Sequence, residues 1–149
     1  MKNEENRKLK IVVAGLDNEG KSSLLTVLEQ VYEFEEIIKY LKPTLGINYT
    51  KRDYFNKTIT YWDFGGQKEF RDKYLKNARY FRDTKVMYYL IDIQDEMRYT
   101  ESVDYLGDIL EILEKNSDVK NIPIHICFSK SDFSVIMDKA FDFSGKTHM

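Results

Sequence analysis

Apolar residues along the chain fall into short runs and helical stripes that alternate. Leu9 to Ala14 (LKIVVA) is an apolar run closed by Gly15, which predicts a buried strand. From Ser22 to about Tyr40 the apolar positions Leu24, Leu25, Val27, Leu28 and Val31 keep helical spacing and predict a helix with one core-facing stripe. Ile47 to Phe55 and Thr58 to Phe64, rich in β-branched and aromatic residues, flank Asn56-Lys57 and predict a hairpin. Gln67 to Phe81 is charged and aromatic, a surface helix with Phe70, Tyr74 and Tyr80-Phe81 inward. Lys85 to Ile93 is expected as a central strand. Ser102 to Lys115 is expected as an amphipathic helix buried through Val103, Leu106, Ile109, Leu110 and Leu113, and Ile122 to Phe128 as a further strand. Strands alternating with helices of this length predict an α/β layer fold, its sheet mostly parallel apart from the hairpin strand.

Composition narrows the class. The 149 residues suit one domain, with 42% hydrophobic and 32% charged residues, as in folded chains. The net charge of −2 gives no overall electrostatic footprint for nucleic acid. No apolar run reaches the roughly 20 residues that span a bilayer. Met1 to Lys8 is polar, without a signal-peptide core or a glycine at position 2 for myristoylation. One cysteine, Cys127, excludes an internal disulfide. The sequons at Asn48 and Asn56 are read as chance matches, and a cytoplasmic location is expected. The expected organisation is a polar tail over 1–8, a folded domain over 9–132 and an irregular segment over 133–149.

The main chemical signal is Gly15-Leu16-Asp17-Asn18-Glu19-Gly20-Lys21-Ser22, a full G-x-x-x-x-G-K-[ST] match between a strand and a helix. Glycines let such a loop curl until successive backbone N–H groups form an anion nest, and the following helix adds its N-terminal partial charge. Lys21 is expected to reach the β- and γ-phosphates, and the Ser22 hydroxyl to bind Mg²⁺. Asp17 and Glu19 place carboxylates in this loop. Because only backbone need face the ligand, both side chains are expected to point to solvent.

Asp63-Phe64-Gly65-Gly66-Gln67 closes the third strand. There Asp63 can hold the metal through water, the Gly66 N–H can touch a γ-phosphate, and Gln67 can orient an attacking water. Thr44, after Pro43, offers a further metal hydroxyl. Ser129-Lys130-Ser131-Asp132 follows the last strand: Asp132 can accept from guanine N1–H and the 2-amino group, while the stem of Lys130 covers the base. His125 and Cys127 lack a second Cys–His cluster and read as packing. Tyr88-Tyr89 reads the same way, and the Lys/Arg-rich stretch 68–82 reads as a solvated face.

Residues 15–23, 43–48 (PTLGIN) and 62–67 (WDFGGQ) closely resemble Arf and Arf-like GTPases of the Ras superfamily, and Phe70 to Asp132 is more similar to Rag/Gtr GTPases. The resemblance covers roughly residues 8 to 132. It implies the small G-protein fold and a slow GTP hydrolase acting as a GTP/GDP switch. Lys21 and Gln67 would be catalytic, and Ser22, Thr44 and, through water, Asp63 would serve Mg²⁺. Nucleotide contacts would run over Asp17, Asn18, Glu19, Gly20, Lys21, Ser22, Ser23, Thr44, Gly66, Ser129, Lys130 and Asp132. Effector, exchange-factor and GTPase-activating partners are implied, with a Rag-like heterodimer as a further possibility.

The chain departs from the pattern at Ser129, where the family carries asparagine, because a hydroxyl cannot make an amide's paired contacts. The loop before Thr44 is longer than in Arf proteins, and the family's C-terminal helix, strand and helix find no counterpart. No arginine precedes Thr44 nearby to act as a finger in cis, so an activating partner is expected to supply that charge. The rival readings are a pseudo-GTPase interaction module and, less favoured by Asp132 and Gly65-Gly66-Gln67, an ATPase.

Overall fold

The computed structural model describes residues 8–21, 23–24, 46–54, 56–119 and 121–130. Ser22, Thr44 and Asp132 lie outside the described residues, as do the body of the helix expected to Tyr40 and the segment 133–149.

The strand signals condense into one five-stranded sheet. β1 (Lys8–Gly15), β2 (Ile47–Tyr54), β3 (Lys57–Phe64), β4 (Thr84–Asp92) and β5 (Ile124–Ser129) lie in the order β2-β3-β1-β4-β5. Only the β2–β3 pair is antiparallel, with Ile47 opposite Phe64 and Tyr54 opposite Lys57, so the hairpin forms as expected. β1 pairs in parallel with β3 (Val12 with Trp62) and with β4 (Val12 with Met87). Because β1 is central, chain connections leave it toward both sheet edges, and the crevice at its C-terminal end is a topological switch point.

Period-two alternation assigns β1 to both faces of the sheet. Val12 and Ala14 join Leu16, Phe64, Phe81, Met87 and Tyr89 in the larger core, while Val13 packs with Tyr61 and Leu90 on the opposite face. The larger core is covered by α1 (Lys68–Leu75) and α2 (Tyr99–Lys115), through Tyr74 and Tyr105, Ile109 and Leu113. Phe64 anchors it, its ring centroid 4.5 Å from Tyr74 and 5.5 Å from Phe81. Each such side chain contributes on the order of 1.5–3 kcal/mol by leaving water.

Four expectations need correction. The helix expected over 67–81 ends at Leu75. Asn77 then turns to extended backbone, and its side chain accepts from the Arg79 N–H (3.0 Å), starting a separate 3-10 turn, Ala78–Phe81. The α2 stripe is rotated: Ser102, Tyr105, Ile109 and Leu113 are buried, while Val103 and Leu110 are exposed. Positions 103 and 110 sit one residue, about 100°, round the helix from 102 and 109. Stretch 68–82 is not wholly a solvated face, because Arg71 is buried, paired with Glu101 and stacked over the Tyr105 ring at 5.3 Å. The last strand starts at Ile124, after Pro123, and Tyr88 stacks on His125 with centroids 5.4 Å apart.

Candidate nucleotide site

The loops after β1, β3, β4 and β5 all emerge at the C-terminal edge of the sheet, which gathers the sequence-predicted residues into one crevice. The first loop runs from Gly15 (φ 148°) through Asn18 (φ 61°) to Gly20 (φ 85°), a series of positive-φ residues that curls the backbone. Helical backbone begins at Lys21, and the Leu24 N–H donates to Gly20 O at 2.8 Å. Ser23 stands in that first turn.

Lys21 is buried, with its ammonium donating to Leu16 O across the loop it closes. Burial pushes its pKa down, against the pull of the Asp63, Glu19 and Asp17 carboxylates. A buried ammonium facing Asp63 supplies both charges that a metal-bound polyphosphate needs. Asp63, 3% exposed at the end of β3, is a hard oxygen donor of the kind Mg²⁺ takes. The donor set therefore fits Mg²⁺ at Asp63, and the Ser22 and Thr44 hydroxyls lie outside the described residues.

The carboxylates of the loop do not both point to solvent. Glu19 turns inward, 4% exposed, and its Oε2 accepts from the Leu16 N–H at 2.9 Å. Burial raises its pKa. The back of the loop packs against the sheet and α2, so an outward side chain at position 19 meets protein rather than water. Asp17 stays half-buried, and Arg98 grips both its carboxylate (2.5 Å) and its carbonyl (3.2 Å). Burial would raise the Asp17 pKa, and the guanidinium outweighs it and holds the acid low.

Gly66 lies flush against this loop. A Cβ there would stand 2.2 Å from Asp17 N and from Leu16 C. The preceding Gly65 N–H donates to Gly46 O (2.7 Å) and toward the Tyr74 hydroxyl (3.1 Å), tying the start of β2 to the end of β3. Gln67 follows as the residue before α1, half-exposed, with its side chain making no cap hydrogen bond.

At the β5 end, Lys130 (φ 55°) donates to Asn18 O (3.0 Å) and to the buried Asp92 carboxylate (2.6 Å). The Gly15–Lys21 loop and the end of β5 are thus joined by one side chain. Gln94 holds the same loop through Lys130 O (2.8 Å). Ser129 lies 3.9 Å from where a Gly20 Cβ would stand, and its hydroxyl points to Ile91 O (3.4 Å) in the neighbouring strand. Among the described residues no group of three or more His, Cys, Asp and Glu clusters as a metal site, and no helix is long and apolar enough to cross a membrane.

Sequence reasoning missed Arg98, Asp92, Gln94 and Ser102. Asp92 was legible in principle, as an acid ending a strand like Asp63; Arg98 carries no local signal.

Residues 1–143 match the model of the ADP-ribosylation factor family. ADP-ribosylation factor-like protein 3 of Chlamydomonas reinhardtii is 37% identical over 125 residues, 83% of this chain and 63% of that protein. ADP-ribosylation factor-like protein 2 of Drosophila melanogaster is 30% identical over 129 residues, 87% of this chain and 64% of that protein. The chain thus spans less than two thirds of the length of these relatives. A solved structure of the Arl6 small GTPase from Trypanosoma brucei, with a bound GppNp nucleotide analogue, superposes with a TM-score of 0.62, covering 94% of this chain and 96% of that one. At 18% identity that likeness establishes the fold, the α/β small-GTPase sheet with one antiparallel pair. By the match over residues 1–143, the chain belongs to the ADP-ribosylation factor family.

Proposed function

We propose that this chain is a GTP/GDP switch that binds guanine nucleotide with Mg²⁺ at the C-terminal edge of the sheet and hydrolyses GTP slowly. The observation that carries the reading is the contact of Gly66 with the Leu16–Asp17 peptide, beside a buried Lys21 that faces Asp63. A terminal phosphate entering there meets the curled loop, the lysine and the Gly66 backbone together. Lys21 offsets charge on the phosphates, and Gln67, uncommitted as a helix cap, orients the attacking water. Mg²⁺ bound through Asp63, Ser22 and Thr44 would supply further charge neutralisation. Arg98 approaches the loop but is committed to Asp17, which supports a slow intrinsic rate and an arginine supplied by an activating partner. The Gly65–Gly46 hydrogen bond couples the two loops that a γ-phosphate would order, and their release on hydrolysis is the switch.

Effector and exchange-factor binding, and a cytoplasmic location, belong to this reading. The Rag-type heterodimer is carried by the sequence resemblance alone.

One observation favours the rival, a pseudo-GTPase interaction module: the Ser129 hydroxyl faces Ile91 O, leaving the contacts of the family's asparagine unmade. Titration with fluorescent GDP, GTP and ATP in Mg²⁺ separates the readings. Tight guanine binding is expected; no binding refutes the switch, and an adenine preference makes the chain an ATPase. Gln67→Leu is expected to abolish single-turnover hydrolysis, and a wild-type rate with or without activator removes Gln67 from the mechanism.

A further inference from the structure

Glu19 is the one acidic residue of the phosphate loop that the structure turns away from solvent. Its Oε2 accepts from the Leu16 N–H at 2.9 Å, closing a ring across the loop from position 19 back to 16. The same oxygen sits 2.5 Å from where a Cβ on Gly15 would stand, so the carboxyl lies flush on the first residue of the motif. The Asp92 backbone at the end of β4 and the Ser102 side chain in the first turn of α2 are further polar neighbours that favour its charged form, less strongly than the Leu16 N–H. Ser102 is itself buried and fixed by the Tyr89 hydroxyl, which donates to Ser102 O at 2.6 Å. A buried carboxylate is retained only where hydrogen bonds and charge compensate its lost hydration. Here the Leu16 N–H supplies the hydrogen bond, and the Lys21 ammonium supplies the charge.

We propose that Glu19 is a positioning residue of the phosphate loop: its buried carboxyl pins the Gly15–Leu16 peptide from within the loop, holding the curl before any phosphate arrives. A loop that must offer several N–H groups to one ligand loses affinity in proportion to the conformations it samples without that ligand. Leu16 is the residue whose carbonyl also receives the Lys21 ammonium. Pinning its N–H fixes the Gly15–Leu16 peptide, next in the chain to the Leu16–Asp17 peptide whose carbonyl accepts from Lys21. The carboxyl acts through the loop and touches no reacting atom.

The inference rests on the switch reading only for its consequence in nucleotide release, and the test separates the two. Amide hydrogen exchange of the full chain without nucleotide, for wild type, Glu19→Ala, Glu19→Gln and Ser102→Ala, reads the loop directly. In Glu19→Ala the Leu16 amide is expected to exchange roughly ten- to hundred-fold faster, as for loss of a charge-assisted hydrogen bond, with β1 and β4 unchanged. Glu19→Gln, which keeps one acceptor, restores part of the protection. Glu19→Gln, nearly isosteric, is the second variant if Glu19→Ala does not fold, and Ser102→Ala, which keeps the Leu16 contact, is the control expected to leave Leu16 protection unchanged. Release of fluorescent GDP is expected to be about tenfold faster in Glu19→Ala and intermediate in Glu19→Gln. Wild-type protection of Leu16 in Glu19→Ala overturns the inference. So does slower GDP release in both Glu19 variants, because the carboxyl would then act by repelling phosphate. If the wild type itself binds no GDP, the switch reading falls and amide exchange alone decides the role of Glu19.

Discussion

Replacing Gly66 with alanine adds one methyl group at the junction of two loops. The new Cβ would lie 2.2 Å from Asp17 N and Leu16 C and 2.4 Å from Leu16 O, all backbone atoms that no rotamer change can move. Reaching an ordinary 3.4 Å contact requires the loops to separate by 3.4 − 2.2 = 1.2 Å. Gly66 is not among the positive-φ glycines, so the penalty is steric rather than conformational. Overpacking of this size destabilises by about 1–3 kcal/mol. In a chain of this length that is roughly 2–12 °C of Tm, at about 2–4 °C per kcal/mol. Gly107, in the middle of α2, has nothing within 4 Å of its would-be Cβ, and alanine there gains helix propensity of about 0.5–1 kcal/mol. Thermal and urea unfolding of the two single variants should therefore move in opposite directions, with the same m-value. Gly66→Ala should also weaken GTP more than GDP, since it opens the crevice where the terminal phosphate is proposed to sit. Equal or stabilising shifts in both variants would refute the close-packed junction.

Other consequences follow from single contacts. Lys130→Ala removes the joint between Asn18 O and Asp92 and leaves a buried carboxylate without its ammonium, so a loss of about 1–3 kcal/mol in urea unfolding is expected, together with faster GDP release. Ser129→Asn restores the amide of the family pattern, and a several-fold gain in guanine affinity, with phosphate-only binding unchanged, should appear in titration. Burial lowers the Lys10 pKa to about 8, with its ammonium on Tyr80 O and Arg82 O and 3.5 Å from the Trp62 ring centroid. Between about pH 8 and the ordinary value of 10.5 the unfolded chain holds this proton and the folded chain does not. Wild-type stability relative to Lys10→Met should therefore rise through that window, and a flat difference would deny the shift.

The arrangement of strands was legible because β1, β3 and β4 carry their burial in the sequence itself, as apolar runs closed by Gly15, by Asp63-Phe64-Gly65 or by Asp92. The phosphate loop was legible because its chemistry demands glycines at fixed offsets. Orientation was not. Nothing at position 19 says that the outer side of the loop faces α2, since that depends on a helix 80 residues later. The rotation of α2 escaped because Ser102 is buried under the Tyr89 hydroxyl and the Tyr105 ring under Arg71, while the more apolar Val103 and Leu110 remain outside. Arg71 and Arg98 looked like surface charge because their acidic partners, Glu101 and Asp17, are distant in sequence.

A single stretch at the start of α2 reaches the phosphate loop, α1 and β4. Arg98 holds Asp17, Glu101 pairs with Arg71 of α1, and Ser102 faces Glu19 and Tyr89. In genetic terms these three positions are a shared dependency: a lesion there reaches the phosphate loop and α1 together. Compensating mutations for damage at Gly66 or Glu19 should accordingly collect in residues 98–102, far from either in the chain.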